Sequence, residues 1–377
     1  MSRLEDFEWM LHYLKMLDPI NAKILTGLSR FGPRNTSFLA RSVKLPATTV
    51  AFRIKKLIKK GYLHVRTNLA HSKLGLVKAV LVAETTGGLE EKLREAVEST
   101  GYWTYTTKCY GKFNGIYALF AFPAEHKDKM EAYLKEAVRH KAMSNYVFFW
   151  ATNLCEVPRN FDWFDFRIKG WKFQWRQWIS EVFKASGTLS ERLVEPEKYQ
   201  TMVDETDLFL LKELEKDAFS EFTKLADVLK MSPQGVRYRY YKHVMKHDLI
   251  ADYEIAIFPY PLLVSDMCSF TVHFKNEEAL AKFSNTLSDK PFILNYGKII
   301  GRNSLLMHSY TPKTEFPNFI NALNSLVKRN IITDFFYVNL DIPSFKRQTV
   351  SYEFFKDKSW TFNYEEKLKK LTEIIRN

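Results

Sequence analysis

The segment Leu45–Leu63 places five basic side chains and no acidic one on a helical pattern. Its apolar residues Val50, Ile54 and Leu57 recur at the spacing of one helix face, which predicts that this face packs into a core. Hydroxyl, aromatic and cationic side chains occupy the remaining surface: Thr48, Thr49, Phe52, Arg53, Lys55, Lys56 and Lys59. Arginine and lysine neutralise phosphates, whereas threonine and phenylalanine can contact base edges in a major groove. This chemistry favours a helix that reads double-stranded DNA, although many basic helix faces are merely solvated.

The same pattern occurs a second time in the chain. "LARSVKLPATTVAFRIKKLIKKGYL" from Leu39 aligns with "LADVLKMSPQGVRYRYYKHVMKHDLI" from Leu225. The second copy has its own polar surface, formed by Gln234, Arg237, Tyr238, Arg239 and Lys242. Glutamine suits adenine and arginine suits guanine, because each pairing is bidentate. Since the two surfaces differ, we expect two unequal DNA half-sites. His243 and His247 have a metal-binding spacing, but no further ligand completes a set, so no metal site is predicted.

Each copy forms the third helix of a predicted helix-turn-helix. Asp18 and Asp204 stand where an N-cap should begin the first helix, and Asp207 adds a capping box in the second copy. The predicted helices are Asp18–Ser29, Thr36–Val43 and Pro46–Lys60, then Asp204–Lys216, Glu221–Leu229 and Pro233–His247. A β-rich stretch follows each third helix and is predicted as a wing, on which Arg66 could reach a flanking phosphate.

The element order after each wing is β-α-β-β-α-β, the ferredoxin-like pattern. An aromatic hairpin follows each of these units, with Phe166–Trp175 aligning with Phe355–Tyr364. We expect the hairpins to extend the sheets or to form a dimer surface, and not to stack on single-stranded nucleic acid. The predicted fold is therefore α+β, with two winged helix-turn-helix domains and two ferredoxin-like βαββαβ domains in an internal duplication. The predicted segments are 1–75 (N-terminal helix and first winged domain), 76–157 (first βαββαβ domain), 158–203 (hairpin and linker), 204–262 (second winged domain), 263–345 (second βαββαβ domain) and 346–377 (hairpin and C-terminal helix).

Composition bounds the class of protein. The 377 residues carry a formal net charge of +13, which favours a polyanionic partner. No apolar run approaches the roughly 18 residues of a transmembrane helix, and the N-terminus lacks the features of a signal peptide. The cysteines Cys109, Cys155 and Cys268 lie far apart, which argues for reduced thiols and against disulfides or a zinc site. We therefore expect a cytoplasmic protein without membrane contact and without a cofactor.

The combination of these elements resembles the Lrp/AsnC family of transcription regulators. "LARSVKLPATTVAFRIKKLIKKGYL" is similar to the family's second helix, turn and recognition helix, and "AHSKLGLVKAVLVAE" is similar to its entry into the βαββαβ domain, called RAM. "CYGKFNGIYALFAF" is similar to the connection between the second and third RAM strands. The resemblance implies DNA binding and dimerisation through RAM sheets. Because both units occur in one chain, it implies a fused pseudo-dimer, and further homodimerisation stays open.

The resemblance also implies an effector site at the RAM sheets. Many relatives carry an acidic residue after the glycine of that connection, whereas this chain has Lys112 and Asn114 after Gly111, and Arg302 after Gly301. A cation cannot hold the ammonium of an amino acid as a carboxylate does. If a small-molecule effector binds here, we therefore expect an anion and doubt an amino acid.

Taken together, these observations favour a sequence-specific, double-stranded-DNA-binding transcription regulator of archaeal or bacterial type, and not an enzyme. One alternative is an architectural chromatin protein of low sequence specificity. The other is an enzyme, because siroheme decarboxylases resemble the same winged-helix and βαββαβ layout. That alternative requires histidines and arginines that converge on a tetrapyrrole cleft, and no motif in the sequence indicates such a convergence.

Overall fold

The computed structural model describes residues 14, 16–85, 87–255 and 264–376. The helices are α1 (Pro19–Phe31), α2 (Thr36–Ser42), α3 (Ala47–Lys59), α4 (Glu90–Ser99), α5 (Lys127–Arg139), α6 (Trp175–Lys184), α7 (Glu205–Lys216), α8 (Phe222–Leu229), α9 (Pro233–Arg239), α10 (Glu277–Ser284), α11 (Phe316–Lys328) and α12 (Tyr364–Arg376). The strands are β1 (Val65–Leu69), β2 (Leu76–Glu84), β3 (Trp103–Gly111), β4 (Gly115–Pro123), β5 (Asn145–Ala151), β6 (Cys155–Glu156), β7 (Phe164–Asp165), β8 (Gly170–Trp171), β9 (Ile250–Ile255), β10 (Ser265–Phe274), β11 (Ile293–Lys298), β12 (Ser304–Pro312), β13 (Ile332–Leu340), β14 (Lys346–Arg347), β15 (Phe355–Lys356) and β16 (Ser359–Trp360).

The predicted helix-turn-helix elements are present in both halves. Asp18 caps α1 by accepting a hydrogen bond from the Asn21 amide, and Asp204 caps α7 in a capping box with Asp207. Helix α9 is shorter than predicted, because its last turns continue as a π-helical segment from Tyr240 to Met245. In the described residues, no helix is long and apolar enough to span a membrane.

Two βαββαβ units form the centre of the molecule, as predicted for an α+β duplication. The strand order is β5-β2-β4-β3 in the first unit and β13-β10-β12-β11 in the second. Strand β3 pairs with β13, and an isolated bridge from Ala151 to Ile299 joins the opposite edges. The two sheets are therefore connected at both edges and enclose an apolar cluster that includes Val82, Tyr117 and Leu306.

The two halves exchange elements. Helix α6 follows the first unit in sequence but packs on α10 and α11 of the second unit. Helix α12 follows the second unit but packs on α4 and α5 of the first. The apolar core of the first unit also continues into the second helix-turn-helix, through residues such as Leu211 and Val236. The duplicated modules are therefore interleaved, which the alignment of two consecutive copies does not reveal.

The predicted wings have a different arrangement. Each stretch contributes one strand, and β1 of the first half pairs antiparallel with β9 of the second, with Arg66 opposite Glu254 and Asn68 opposite Asp252. The two stretches thus form one ribbon between the halves instead of two separate wings. An edge strand with unpaired amides gains hydrogen bonds from a matching partner, and the duplication supplies that partner within the same chain.

The expectation that the aromatic hairpins extend the RAM sheets is wrong. Strands β7 and β8 pair only with each other among the described strands, as do β15 and β16. Trp360 lies buried against the first half and donates a hydrogen bond from Nε1 to the carbonyl oxygen of Leu74 at 2.6 Å. The second hairpin is therefore anchored to the first half through one buried indole ring.

Candidate active site

A cavity of about 270 Å³ lies between the β1–β9 ribbon and the paired sheets. Both halves line it, from β1, β2 and β3 in the first to β9, β11 and β12 in the second. Its acidic, basic and imidazole side chains are Arg66, His71, Lys78, Glu156, Arg159, Glu215, Glu254, His308 and Arg347. Phe345 and Arg347 also line it and remain 50% and 39% exposed, so the cavity opens to solvent beside them.

His308 stands at the centre of a buried hydrogen-bond chain. Its Nε2 lies 2.6 Å from the Tyr117 hydroxyl, and its Nδ1 lies 2.6 Å from Oδ1 of Asn295. Burial lowers the pKa of His308 to about 4, so the ring is neutral at physiological pH. The neutral ring donates from Nδ1 to Asn295 and accepts the Tyr117 proton at Nε2. Asn295 donates in turn to Oε1 of Glu156 at 3.1 Å, which continues the chain to a carboxyl group.

His71 presents a second neutral imidazole. Its Nδ1 lies 2.6 Å from Oδ1 of Asn153, and burial, aided by the charge of Lys78, lowers its pKa well below the ordinary value. Nδ1 therefore carries the proton and donates it to the amide oxygen. The ring also has a hydrogen bond to the backbone of Leu69. The neutral ring lines the cavity.

The carboxyl groups of the cavity differ in their charge. Burial raises the pKa of Glu156 well above its ordinary value, and the negative charges of Glu254 and Asp252 raise it further. Glu254 behaves in the opposite way: burial opposes its ionisation, but the guanidinium groups of Arg347 and Arg66 outweigh that effect and lower its pKa. Burial therefore favours the protonated form of Glu156, whereas Arg347 and Arg66 favour the ionised form of Glu254.

Glu254 holds two of the cavity's guanidinium groups. Arg347 Nη1 lies 2.6 Å from Oε2 of Glu254, and Arg66 Nη1 lies 3.4 Å from its Oε1. Arg159 donates from Nη2 to the carbonyl oxygen of Ile255 at 3.2 Å. Arg66 thus belongs to this cavity, and its placement differs from our expectation that it reaches a DNA phosphate from a wing.

The surface of α3 is exposed as the sequence predicts. Phe52 is 66% exposed, and Thr48, Lys55, Lys56 and Lys59 also face solvent, whereas Thr49 is half-buried. Arg53 differs, because its Nη1 pairs with the N-cap carboxylate of Asp18. This pair leaves the remaining α3 cations available to a partner, with Arg53 committed to the first helix.

The second copy repeats this arrangement. Gln234, Arg237, Tyr238 and Lys242 are exposed, whereas Arg239 pairs with Asp204 and Asp207 at 2.8 Å each. Asp204, Asp207 and His243 come close enough to hold a metal, but the Arg239 guanidinium already occupies the two carboxylates. The predicted DNA contacts of Arg53 and Arg239 therefore compete with intramolecular ion pairs.

The residues predicted for an effector lie outside the cavity lining. Lys112 Nζ sits 4.4 Å from the centre of the Phe336 ring, and Asn114 accepts a hydrogen bond from the Gly111 amide at 3.3 Å. The Gly301 amide donates to Glu195 at 3.0 Å, and Arg302 stacks over Phe149. The two loops approach each other near His273, whose pKa is lowered by burial and by the charges of Arg302 and Lys112, but neither loop lines the cavity.

Sequence reasoning missed His71, Lys78, Glu156, Arg159, Glu215, Glu254, His308 and Arg347. They are scattered from the first wing to the last hairpin, so no local spacing connects them. Two weak signals existed: a lysine within the otherwise apolar strand "LVKAVLVAE", and a histidine within "SLLMHSYTP". A polar group in a strand that is buried on both faces needs a partner or a cavity.

Comparisons with solved structures include an enzyme whose structure matches 94% of the chain. The crystal structure of the siroheme decarboxylase NirDL matches with a TM-score of 0.53 and 12% identity over 94% of this chain and 99% of that chain. Its complex with an iron-uroporphyrin III analogue matches with a TM-score of 0.51 and 13% identity over 94% and 98%. E. coli AsnC matches only 40% of this chain, with 98% of its own length, a TM-score of 0.30 and 18% identity. No protein-family model and no curated protein matches the chain.

These findings establish the fold and correct one prediction. The chain has the mixed α/β fold of winged helix-turn-helix and ferredoxin-like units that the full-length neighbours share. The prediction that the chain is not an enzyme is wrong, because both structures that match 94% of it are of an enzyme. The required convergence of histidine and arginine, which no sequence motif indicated, is present in the cavity.

Proposed function

We propose that the protein is an enzyme of siroheme-decarboxylase type and that the cavity between its halves is the active site. The observation that carries this proposal is the set of arginines, a lysine and two neutral imidazoles in one cavity, on a fold whose full-length neighbours are siroheme decarboxylase. Perturbed ionisable groups that share a cleft are typical of catalytic sites.

Loss of a carboxyl group requires an anion site and a proton. The C–C bond to the carboxylate breaks, CO₂ leaves, and the electron pair remains on carbon until a proton arrives. Cations of the cavity hold the carboxylates of the substrate. Lys78, and Glu156 in the protonated form that burial favours, carry the protons that can replace CO₂. The Tyr117–His308–Asn295 chain orients the substrate and passes protons.

The size of the cavity restricts how a tetrapyrrole binds. Small-molecule pockets have volumes of about 300 to 1,000 Å³, and this cavity is slightly smaller than that range. We therefore infer that a macrocycle enters by one edge, with one or two carboxylate side chains inside and the remainder at the opening beside Phe345 and Arg347.

The test is to mix the purified protein with siroheme or iron uroporphyrin III without oxygen and to follow the visible spectrum and the product mass. We expect a shifted absorption band on binding and a product lighter by CO₂. The variant His308→Leu should bind the substrate but turn it over much more slowly. Glu213→Gln, at a residue that pairs with Lys216 outside the cavity, should match wild type. Unchanged spectra and masses in the wild-type protein would exclude this activity.

A second candidate function is DNA binding, and one observation favours it. Helix α3 exposes Thr48, Phe52, Lys55 and Lys56 without pairing any of them to a described acidic group, on a chain of net charge +13. Solvation of lysines requires no aromatic side chain, whereas a groove-reading helix uses one against a thymine methyl. Selection of genomic duplexes at two salt concentrations would reveal an enriched motif if this helix reads sequence.

A further inference from the structure

Lys78 is unlike the other cations of the cavity. It is only 8% exposed and lines the cavity from the third position of β2. Arg66 and Arg347 share Glu254, and Arg159 bonds to a backbone carbonyl. Among the described residues, by contrast, Lys78 has no hydrogen bond and no ion pair. A buried ammonium without such a partner is costly, which points to a ligand anion as the missing partner.

The charge balance of the cavity also points to an anion. Its histidines are neutral and burial favours the protonated form of Glu156, so four cations face Glu254 and Glu215 as the remaining carboxyl groups. The cations outnumber the ionised carboxylates by two, or by three when Glu215 is protonated. A ligand with two or three carboxylates would neutralise this excess.

Glu215 is the neighbour whose charge opposes such a ligand. It lies in the last turn of α7 and accepts a hydrogen bond from the Val350 amide at 2.7 Å. It forms no ion pair with Lys78 within 4 Å, so the Val350 amide, and not the lysine, holds it in place. Burial raises the pKa of Glu215 to about 7, and burial lowers the pKa of Lys78 to about 8. Both groups therefore titrate near neutral pH.

We propose that Lys78 binds a carboxylate of the ligand and that the Lys78–Glu215 pair takes up a proton as this carboxylate arrives. Two carboxylates near one ammonium in a buried site cannot both stay ionised, so the arriving anion favours the protonated form of Glu215 and the charged form of Lys78. The inference rests on the proposed function, because it takes a tetrapyrrole carboxylate as the ligand.

The charged groups around Lys78 and Glu215 should not take up the proton themselves near neutral pH. Arg347 and Glu254 face Glu215, while Glu156, His71 and Arg347 face Lys78. Arg347 and Glu254 form an ion pair, burial favours the protonated form of Glu156, and burial keeps His71 neutral near neutral pH. Affinity for the anion is therefore highest below about pH 7 and falls as the pH rises through 7 to 8, where Glu215 and then Lys78 lose their protons.

The experiment titrates the full chain with iron uroporphyrin III between pH 6.5 and 8.5 by visible absorption. Calorimetry in two buffers of different ionisation enthalpy counts the protons taken up. The variants are Lys78→Met, which keeps the length of the side chain, and the double variant Lys78→Met with Glu215→Gln. Glu213→Gln is the matched control, because Glu213 pairs with Lys216 outside the cavity. Thermal melting verifies that each variant folds.

In the wild-type protein and the control, we expect the affinity to fall at least tenfold across this range, with uptake of about one proton near pH 8. Lys78→Met should bind at least tenfold more weakly at pH 6.5, and the double variant should show no pH dependence beyond that of the ligand. If the double variant matches the wild type in affinity and proton uptake, the role of the pair is refuted while the proposed function stands. If the wild type binds no tetrapyrrole at any pH, the proposed function is refuted and this inference with it.

Discussion

The two walls of the cavity come from equivalent strands but carry different chemistry. Lys78 is the third residue of β2, and Met267 is the third residue of β10, the matching strand of the second unit. One strand over, Leu119 pairs with the fifth residue of β2, and His308 pairs with the fifth residue of β10. All four side chains line the cavity. At equivalent positions of the two units, the first therefore has Lys78 where the second has Met267. The first has Leu119 where the second has His308.

This difference explains what a fused chain can do and a symmetric dimer cannot. In an isologous dimer each residue near the axis meets its own copy, so a buried Lys78 would face a second Lys78. Two ammonium groups in a buried site would each lower the pKa of the other and favour loss of a proton. In a fused chain the sequence of each wall can change independently. The cavity can therefore combine Lys78, His308 and Glu156, each present once, around a ligand.

The largest effect should come from making the two walls alike at His308. His308→Leu gives both units the residue found at Leu119 and leaves the Tyr117 hydroxyl and Asn295 without their partner. We expect turnover to fall by about 100-fold, as for loss of a general acid–base group. The unfolding free energy should fall by about 2 kcal/mol, because buried polar groups become unsatisfied. Steady-state turnover and urea unfolding measure both. Wild-type turnover in this variant would show that the imidazole is structural only.

Met267→Lys makes the walls alike in the opposite way. A second ammonium in the cavity lacks a carboxylate of its own, and an unpaired buried charge costs about 3 kcal/mol. We expect lower stability at pH 7 that recovers as the pH rises and the added lysine loses its proton. Met267→Leu controls for the change of shape. Equal melting temperatures for the two variants would show that this wall is more open to water than the structure indicates.

Glu215 in α7, the first helix of the second copy, should make the stability of the protein depend on pH. Glu215 lies in the last turn of α7 and lines the cavity. Its pKa of about 7 in the folded protein exceeds its ordinary value. Its contribution to the unfolding free energy is therefore complete in acid and is lost as the pH rises from about 4.5 to 7. In the wild type, this effect should lower the unfolding free energy by about 2 kcal/mol between pH 5 and pH 8. Glu215→Gln should abolish that decrease. Urea unfolding at both pH values tests this, with Glu213→Gln as the control. A slope that survives in Glu215→Gln would assign it to other groups.

The smallest effect concerns the two third helices. If α3 contacts DNA, Lys55→Gln combined with Lys56→Gln should weaken binding several-fold and reduce the salt slope by about 0.9 for each lost phosphate contact. Lys242→Gln makes the equivalent test in the second copy. Gel-shift titrations at two salt concentrations measure the change. Identical salt slopes in the wild type and all variants would mean that neither helix meets phosphate.

Sequence periodicity was sufficient for the helices and strands. The N-caps at Asp18 and Asp204, the helix-turn-helix elements and the β-α-β-β-α-β order all appear in the structure, because caps and periodic apolar residues act over a few residues. The arrangement of the wings and hairpins was harder to predict from the sequence. The pairing of β1, for example, depends on β9, a strand far along the chain. The DNA contacts proposed from the helix surfaces stay predictions.

The sequence by itself determined the duplicated fold, because local propensity and apolar spacing are properties of neighbouring residues. Only the tertiary structure decided that the halves interleave and that Arg66, His71 and Lys78 face Glu215, His308 and Arg347 across one cavity. Such a site depends on which strand edges pair and which helix covers which sheet. Those choices are made by contacts between residues hundreds of positions apart, and no motif within either half records them.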